Sequence, residues 1–231
     1  MASPSTSYQR RLPSGLVVRS TTTADAPALE ALQLAVFPSL ADAQRFKAPH
    51  YLRHLELFAP GQFVVEDDGR LVAATSTIRR SIDFDHPHHT FEDIIQGGWL
   101  TSHEPAGEWL YGADLGVHPT HRGRGLALAL YAARQQLVWA LELRGQVTAG
   151  MLSGYGALKS TLTPEAYLAE VAAGRRTDPT LSMQLRAGFT VRALLRDHLD
   201  DPLCDNHSAL IVLDAAHSVP GAERPSPMRS A

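Results

Sequence analysis

The chain has 231 residues, which is enough for one domain whose core needs neither disulfides nor metal ions. Hydrophobic residues make up 44% and charged residues 19% of it, so the composition excludes a disordered or a fibrous protein. The formal charge of -3 lacks the positive excess that binding to a phosphate backbone requires. Nucleic acid is therefore not expected as a partner.

Cysteine content and the N-terminal segment bear on the compartment. Cys204 is the single cysteine and lies among aspartates, whose charge disfavours a nucleophilic thiolate. Arg10 and Arg11 are not followed by an apolar segment, which argues against a signal peptide. The longest apolar run, residues 126–133, is too short to span a bilayer. We expect a cytoplasmic protein without membrane contact.

Both ends of the chain have the composition of tails. Residues 1–14 are rich in Ser, and residues 215–231 combine Pro and Ser with few apolar side chains. No internal repeat or linker divides the part between them. The prediction is one domain at residues 15–214 with a flexible tail at each end.

The first half of the chain predicts strands and helices in alternation. Leu29, Leu32 and Val36 share one helical face, and the helix follows a capping sequence, Thr22-x-x-Asp25. Asp67-Asp68-Gly69 is typical of a tight turn and predicts a β-hairpin. The other elements predicted here are a strand at 16–19, a helix at 49–58 and hairpin strands at 63–65 and 71–78.

The second half continues the mixture and carries the clearest boundaries. Thr163-Pro164 and Asp178-Pro179 each begin a helix, and Gly174 and Gly188 follow the two helix ends. Further elements are strands at 109–117, 147–151, 189–195 and 209–213 and an amphipathic helix at 126–141. Residues Phe189 to Leu195 alternate as a half-buried strand. The whole pattern predicts a mixed α/β sheet.

The segment Arg122-Gly123-Arg124-Gly125-Leu126-Ala127 joins a strand to the long helix. Unpaired amides at a helix start attract anions, and glycines let a phosphate approach the backbone. Leu128 breaks the dinucleotide fingerprint, and no Gly-Lys-Ser/Thr follows for a P-loop. The turn therefore predicts an anion-binding site that is neither a dinucleotide-binding turn nor a P-loop.

This segment resembles motif A of the GNAT superfamily of acetyl-CoA-dependent N-acyltransferases, Arg/Gln-x-x-Gly-x-Gly/Ala, here preceded by Val117-x-Pro119. Finer features around residues 112–114, 154–155 and 178–189 resemble the acetyltransferase domain found next to carbon-nitrogen hydrolase domains. The resemblance implies an α/β (α+β) fold with a mixed, mostly antiparallel sheet flanked by helices. Its central strands would splay apart at the acetyl-CoA site.

The resemblance also implies how acetyl-CoA binds. Its pyrophosphate would lie on the amides of residues 123–127, with pantetheine along the preceding strand and the thioester near Gly150. The cofactor-binding residues implied are Leu115, Gly116, Val117, Arg122, Gly123, Arg124, Gly125, Leu126 and Ala127.

Two residues are candidates for proton transfer. Asp114 is a carboxylate in an otherwise apolar strand, so it is either a base with a raised pKa or a structural hydrogen-bond acceptor. Alternation places it opposite Leu115 and Val117 unless a bulge intervenes. Many family members carry glutamate where this chain has Tyr111, which leaves a base acting through water as an alternative.

The acid is less defined, because the position of the family's usual tyrosine holds Gln184. Tyr155 is the candidate substitute, the alternative being an aromatic side chain at a pocket rim. His86, His88 and His89 lack the spacing of a metal site, so we expect a solvated loop and no metal.

We therefore expect an enzyme that transfers the acetyl group of acetyl-CoA to a primary amine of a small molecule by direct attack. The alternatives are a non-catalytic acyl-CoA sensing module and a protein or peptide N-acetyltransferase. A homodimer is possible. The segments 83–107 and 163–174 are long for plain connections and are candidates for shaping the acceptor pocket.

Overall fold

The computed structural model describes residues 7–224, through which one eight-stranded sheet runs. The spatial order of its strands is β1-β2-β3-β4-β5-β6-β8-β7. Neighbours are antiparallel except β5 and β6, which are parallel. The mixed, mostly antiparallel sheet is confirmed. The strands are β1 (Gln9–Arg11), β2 (Val17–Ser20), β3 (Phe63–Asp67), β4 (Arg70–Arg80), β5 (Trp109–Val117), β6 (Gly145–Met151), β7 (Thr190–Leu195) and β8 (Ser208–Asp214).

Helices cover both faces of the sheet. On β3, Val64 packs with residues of α1 and α2, whereas Phe63 and Val65 pack with residues of α4. Because successive side chains of a strand point to opposite faces, these helices lie on opposite sides. We call the side of α1, α2 and α3 the first face and the side of α4, α5 and α6 the second face. The helices are α1 (Ala26–Val36), α2 (Ala48–Phe58), α3 (Phe91–Ile95), α4 (Leu126–Ala140), α5 (Pro164–Ala172) and α6 (Leu181–Arg186).

The two short helices of the second face begin differently. For α5, the Thr163 hydroxyl accepts a hydrogen bond from the Ala166 amide at 3.2 Å, as the sequence predicts. For α6, the Asp178 carboxylate accepts from the amides of Thr180 and Leu181, both at 2.7 Å. This cap moves the start of α6 to Leu181, two residues beyond the predicted position.

Strand β7 departs from simple alternation. Val191 pairs with Ile211 and Ala193 pairs with Leu210, so Arg192 is an extra residue that forms a bulge. Val191 consequently packs on the second face, while Ala193 and Leu195 pack on the first. The prediction of one half-buried face along this strand is wrong, because the bulge switches the side.

The ends of the described chain differ from the predicted flexible tails. Residues 1–6 and 225–231 lie outside the described residues. Within the rest, β1 pairs with β2, and the Arg10 guanidinium donates to the carbonyl of Gly221. Val219 is 1% exposed in the core of the second face. The segments that flank residues 15–214 thus pack on the domain.

The insertion between β4 and β5 belongs to the core of the first face. Ile94, Ile95 and Leu100 are buried there, beside Trp109 of β5. Thr90 caps α3 by accepting from the Asp93 amide at 3.2 Å. Among residues 7–224, every helix is too short or too polar to cross a membrane.

Candidate active site

The two parallel strands separate in the middle of the sheet. Residues 109–112 of β5 pair with residues 145–148 of β6, and beyond Gly112 β5 stays paired only with β4. The last pair is held by the Thr148 hydroxyl, which donates to the Gly112 carbonyl at 2.7 Å. The C-terminal halves of β5 and β6 therefore form an opening, as the resemblance implied.

The glycine turn lies directly beyond this opening. Gly123 and Gly125 have φ of +74° and +76°, and a Cβ at either would meet no atom within 4 Å. The glycines thus serve a left-handed backbone and leave open space in front of it. The first hydrogen bond inside α4 runs from the Ala129 amide to the Gly125 carbonyl at 3.0 Å. The amides before Ala129 have no acceptor within the helix and remain available to an anion.

Two arginines flank the turn in different ways. Arg122 is tied to the protein, since its Nε donates to the Val117 carbonyl at 3.3 Å. Arg124 lies 3.7 Å from Asp67, and its side chain is 41% exposed. Such an exposed ion pair is weak, so Arg124 can rotate toward a phosphate at small cost.

The other residues of the predicted cofactor set form the wall of the site. Leu115, Val117 and Leu126 pack on the second face. A Cβ at Gly116 would come within 2.9 Å of Val36 on the first face, so this position requires glycine. Ala127 follows in the first turn of α4.

Asp114 lies beside the opening, after a bulge. Ser76 pairs with Asp114 and Thr77 with Gly112, which leaves Ala113 as the extra residue of β5. Two residues later Gly116 faces α1, so Asp114 lies on the first face. The bulge precedes Asp114 and leaves the predicted side unchanged.

The environment of Asp114 suits proton transfer. Burial raises the pKa of the Asp114 carboxyl to about 7, and the Arg134 guanidinium and the Leu115 amide offset part of this rise. The side chain keeps some contact with solvent. A carboxyl that titrates near neutral pH can accept a proton from an ammonium group.

On the first face, the insertion contributes His89, which the sequence pattern assigned to a solvated loop. His89 Nε2 lies 2.7 Å from the Tyr111 hydroxyl, and His89 Nδ1 lies 2.8 Å from the Pro87 carbonyl. Since a carbonyl only accepts, Nδ1 carries the proton and Tyr111 donates to Nε2. Burial lowers the pKa of His89. The expected solvated loop is wrong at His89, whereas His86 and His88 are exposed.

Tyr155 lies among packed side chains of the second face. Its hydroxyl donates to the Leu162 carbonyl at 3.2 Å, and its ring stacks on His207. The residue is 3% exposed. Its one proton is therefore already used in holding the segment that leads to α5.

The residue at the family's tyrosine position belongs to a buried polar cluster. Gln184 Nε2 donates to the Tyr131 hydroxyl at 2.9 Å, and a Cβ at Gly150 would collide with Gln184 Oε1. Arg134 lies one turn further along α4, and its guanidinium donates to the Asp114 carbonyl at 2.7 Å. Neither Tyr131 nor Arg134 could be singled out from the sequence, because both lie in an apolar helical stretch.

Residues 27–148 match the family model described as "Acetyltransferase (GNAT) family". "Probable hydrolase YhcX" of Bacillus subtilis (strain 168) is 31% identical over 186 residues, which cover 80% of this chain but only 36% of YhcX. "Uncharacterized N-acetyltransferase YkwB" of the same strain is 26% identical over 197 residues, covering 85% of this chain and 87% of YkwB.

Among solved structures, the GphF GNAT-like decarboxylase in complex with isobutyryl-CoA has the same fold. Its TM-score is 0.69 at 21% identity, and the match covers 86% of this chain and 98% of GphF.

Proposed function

The chain belongs to the GNAT acetyltransferase family, and from this premise we propose that it transfers the acetyl group of acetyl-CoA to a primary amine of a small molecule. One observation carries the proposal. The opening between β5 and β6 and the glycine turn lie on one continuous segment, so a phosphate cradle and a reaction centre are joined by residues 113–125.

Acetyl-CoA binds with its pyrophosphate on the amides of residues 123–127. Gly123 and Gly125 leave open space there, and the start of α4 offers unpaired N–H groups and the positive end of its dipole. Arg122 and Arg124 supply positive charge. The pantetheine follows the backbone of Leu115, Gly116 and Val117 into the opening.

The transfer is a direct attack of the amine on the thioester carbonyl. Asp114 removes the proton of the ammonium group, because its carboxyl titrates near neutral pH. The bulge at Ala113 frees backbone from the ladder, and an amide there stabilises the oxyanion. Collapse of the tetrahedral intermediate breaks the C–S bond.

The amine enters from the first face. Asp114 lies on this side, and the insertion brings His89 against Tyr111 next to the opening. This contact supports the proposal that residues 83–107 line the acceptor pocket. The α5 segment packs on the second face, which supports a role nearer to acetyl-CoA for residues 163–174.

A thiol-release screen tests the function. Acetyl-CoA is offered with polyamines, amino acids, aminoglycosides or N-terminal peptides, and Gly125→Val serves as the blank that lacks the cradle. Release with a small amine supports the proposal, and release only with peptides supports the peptide alternative. Binding of acetyl-CoA without release supports a sensing module.

One further arm of this screen uses malonyl-CoA without an amine. GphF is a GNAT-like decarboxylase, so loss of carbon dioxide from malonyl-CoA, in place of amine acetylation, would contradict the proposed transfer.

A further inference from the structure

The second face carries a buried polar cluster at the base of the opening. Tyr131 and Arg134 come from α4 and Gln184 comes from α6. They are 1%, 1% and 5% exposed. Gln184 lies against Gly150, on the part of β6 that has separated from β5. The cluster therefore borders the cleft from the side opposite to Asp114.

Hydrogen bonding inside this cluster is incomplete. The Tyr131 hydroxyl accepts from Gln184 Nε2, and no bond among residues 7–224 is donated by that hydroxyl. Among the same residues, 7–224, Gln184 Oε1 and Arg134 Nε are buried without a hydrogen-bond partner. Native cores rarely leave such groups unpaired, so a ligand group is expected to complete them.

We infer that Tyr131 is the catalytic residue that protonates the departing thiolate of CoA, and that Gln184 is its positioning residue. The inference rests on the proposed acetyl transfer. Gln184 fixes the direction of the free O–H because its own N–H occupies one lone pair of the Tyr131 oxygen.

The step balances within the proposed reaction. When the C–S bond breaks, its electron pair goes to sulfur, and the Tyr131 O–H proton passes to that sulfur to give the CoA thiol. The phenolate left on Tyr131 takes a proton from water once the thiol departs. Asp114 releases the ammonium proton to solvent, and the nitrogen loses its second proton to solvent as the amide forms. Two protons thus leave the nitrogen and one returns from solvent to the Tyr131 oxygen, so the net products are the amide, CoA thiol and one proton.

Arg134 is the electrostatic feature around Tyr131 that supports this role. Burial raises the pKa of Tyr131 on balance, and Arg134 and the Gln184 hydrogen bond offset part of this rise. The Arg134 guanidinium lies over the Tyr131 ring, 5.2 Å from its centroid. The charged groups that act on the cluster are Arg134 within it and the Asp114 carboxyl, which acts on Arg134 from the other face of β5. The cation stabilises a transient phenolate.

The test uses coenzyme A itself and needs no acceptor amine. The thiol pKa of bound coenzyme A is measured from thiolate absorbance during a pH titration of the wild type and of Tyr131→Phe. A donated hydrogen bond stabilises the thiolate, so loss of the hydroxyl is expected to raise the thiol pKa by about 1 to 2 units. Gln184→Leu should give a smaller rise. Tyr155→Phe removes a hydroxyl from another buried ring and should leave the thiol pKa unchanged.

Each result has a definite meaning. A raised thiol pKa in Tyr131→Phe, a smaller rise in Gln184→Leu and no rise in Tyr155→Phe, with coenzyme A affinity and melting temperature retained, support the inference. Equal pKa values in wild type and Tyr131→Phe overturn it and leave the proposed function standing. Equal rises in Tyr131→Phe and Tyr155→Phe, or loss of coenzyme A binding by Tyr131→Phe, also overturn it. Failure of the wild type to bind coenzyme A contradicts the proposed function itself.

Discussion

The two sides of the opening are built in opposite ways. The proposed CoA side is local, since residues 115–127 form the strand end, the turn and the helix start in one stretch. The acceptor side joins distant segments: His89 of the insertion contacts Tyr111, and His198 Nδ1 donates to the His89 carbonyl at 3.0 Å. The proposed cofactor site is thus carried by a short segment. The side that would select the amine depends on the whole fold.

The largest expected effect is loss of coenzyme A binding on the local side, caused by a substitution in the glycine turn. Gly125→Val should weaken coenzyme A binding at least about 100-fold, because a branched residue resists a φ of +76° and its side chain fills the space for phosphate. Calorimetry on the folded variant measures the loss. Gly69→Val is the matched control, since Gly69 has a φ of +79°, also with open space, in the β3–β4 turn. If both variants bind equally well, the cradle is not at Gly125.

The next effect concerns the C-terminal segment. Deletion of residues 215–231 should lower the free energy of unfolding by about 2 to 4 kcal/mol, since it exposes the site of Val219 and removes hydrogen-bond acceptors. The Trp139 indole donates to the Ala215 carbonyl at 2.8 Å, and Gln135 Nε2 donates to the His217 carbonyl at 2.9 Å. Urea unfolding measures the change.

A point variant tests the packing of Val219 without shortening the chain. Val219→Ala should destabilise by roughly 1 to 2 kcal/mol, whereas Leu203→Ala, at a site that is 52% exposed, should have little effect. An unaltered urea midpoint in Val219→Ala would show that the predicted flexible tail is correct after all.

The third effect is a pH dependence of folding stability caused by Asp114, on the acceptor side. Because the pKa of Asp114 is raised to about 7, the folded chain retains a proton that the unfolded chain releases above pH ~4. Folding stability contributed by this group therefore falls as pH rises from about 4 through 7. Asp114→Asn should match the wild type near pH 4 and be more stable at pH 8 by roughly 2 kcal/mol, after discounting for solvent contact.

Melting temperatures across pH measure the Asp114 effect, and Asp42→Asn is the contrast. Lys47 lowers the pKa of Asp42, so this variant should lose stability above pH ~4 instead. Curves of the same sign for both variants would show that Asp114 is not a buried carboxyl with a raised pKa.

The comparison also shows what sequence can supply. The glycine turn and the long helix were predictable because glycine spacing and helical periodicity are local patterns. The bulge at Ala113 was not, since β5 has the composition of a regular strand. Arg134 was missed because its burial depends on Gly112, where a Cβ would collide with the guanidinium.

Composition gave a wrong prediction of solvent exposure for two other segments. The histidine run has the polarity of a solvated loop, yet His89 is drawn in by Tyr111, 22 residues later in the chain. The C-terminal segment has the composition of a tail, yet α4 presents Trp139 and Gln135 to its backbone. Both errors arise because long-range partners satisfy groups that local pattern assigns to solvent.

The smallest effect tests whether Tyr155 belongs to packing or to the site. Tyr155→Phe should lower the free energy of unfolding by about 1 kcal/mol, because the Leu162 carbonyl loses its donor while the ring keeps its stacking on His207. Urea unfolding gives this value, and single-turnover acetylation with an amine found by thiol release gives the chemical rate. We expect that rate to change less than about 3-fold, whereas loss of a general acid costs about 10²-fold or more. A large fall in rate without loss of stability would place the Tyr155 hydroxyl at the sulfur and exclude Tyr131 from that role.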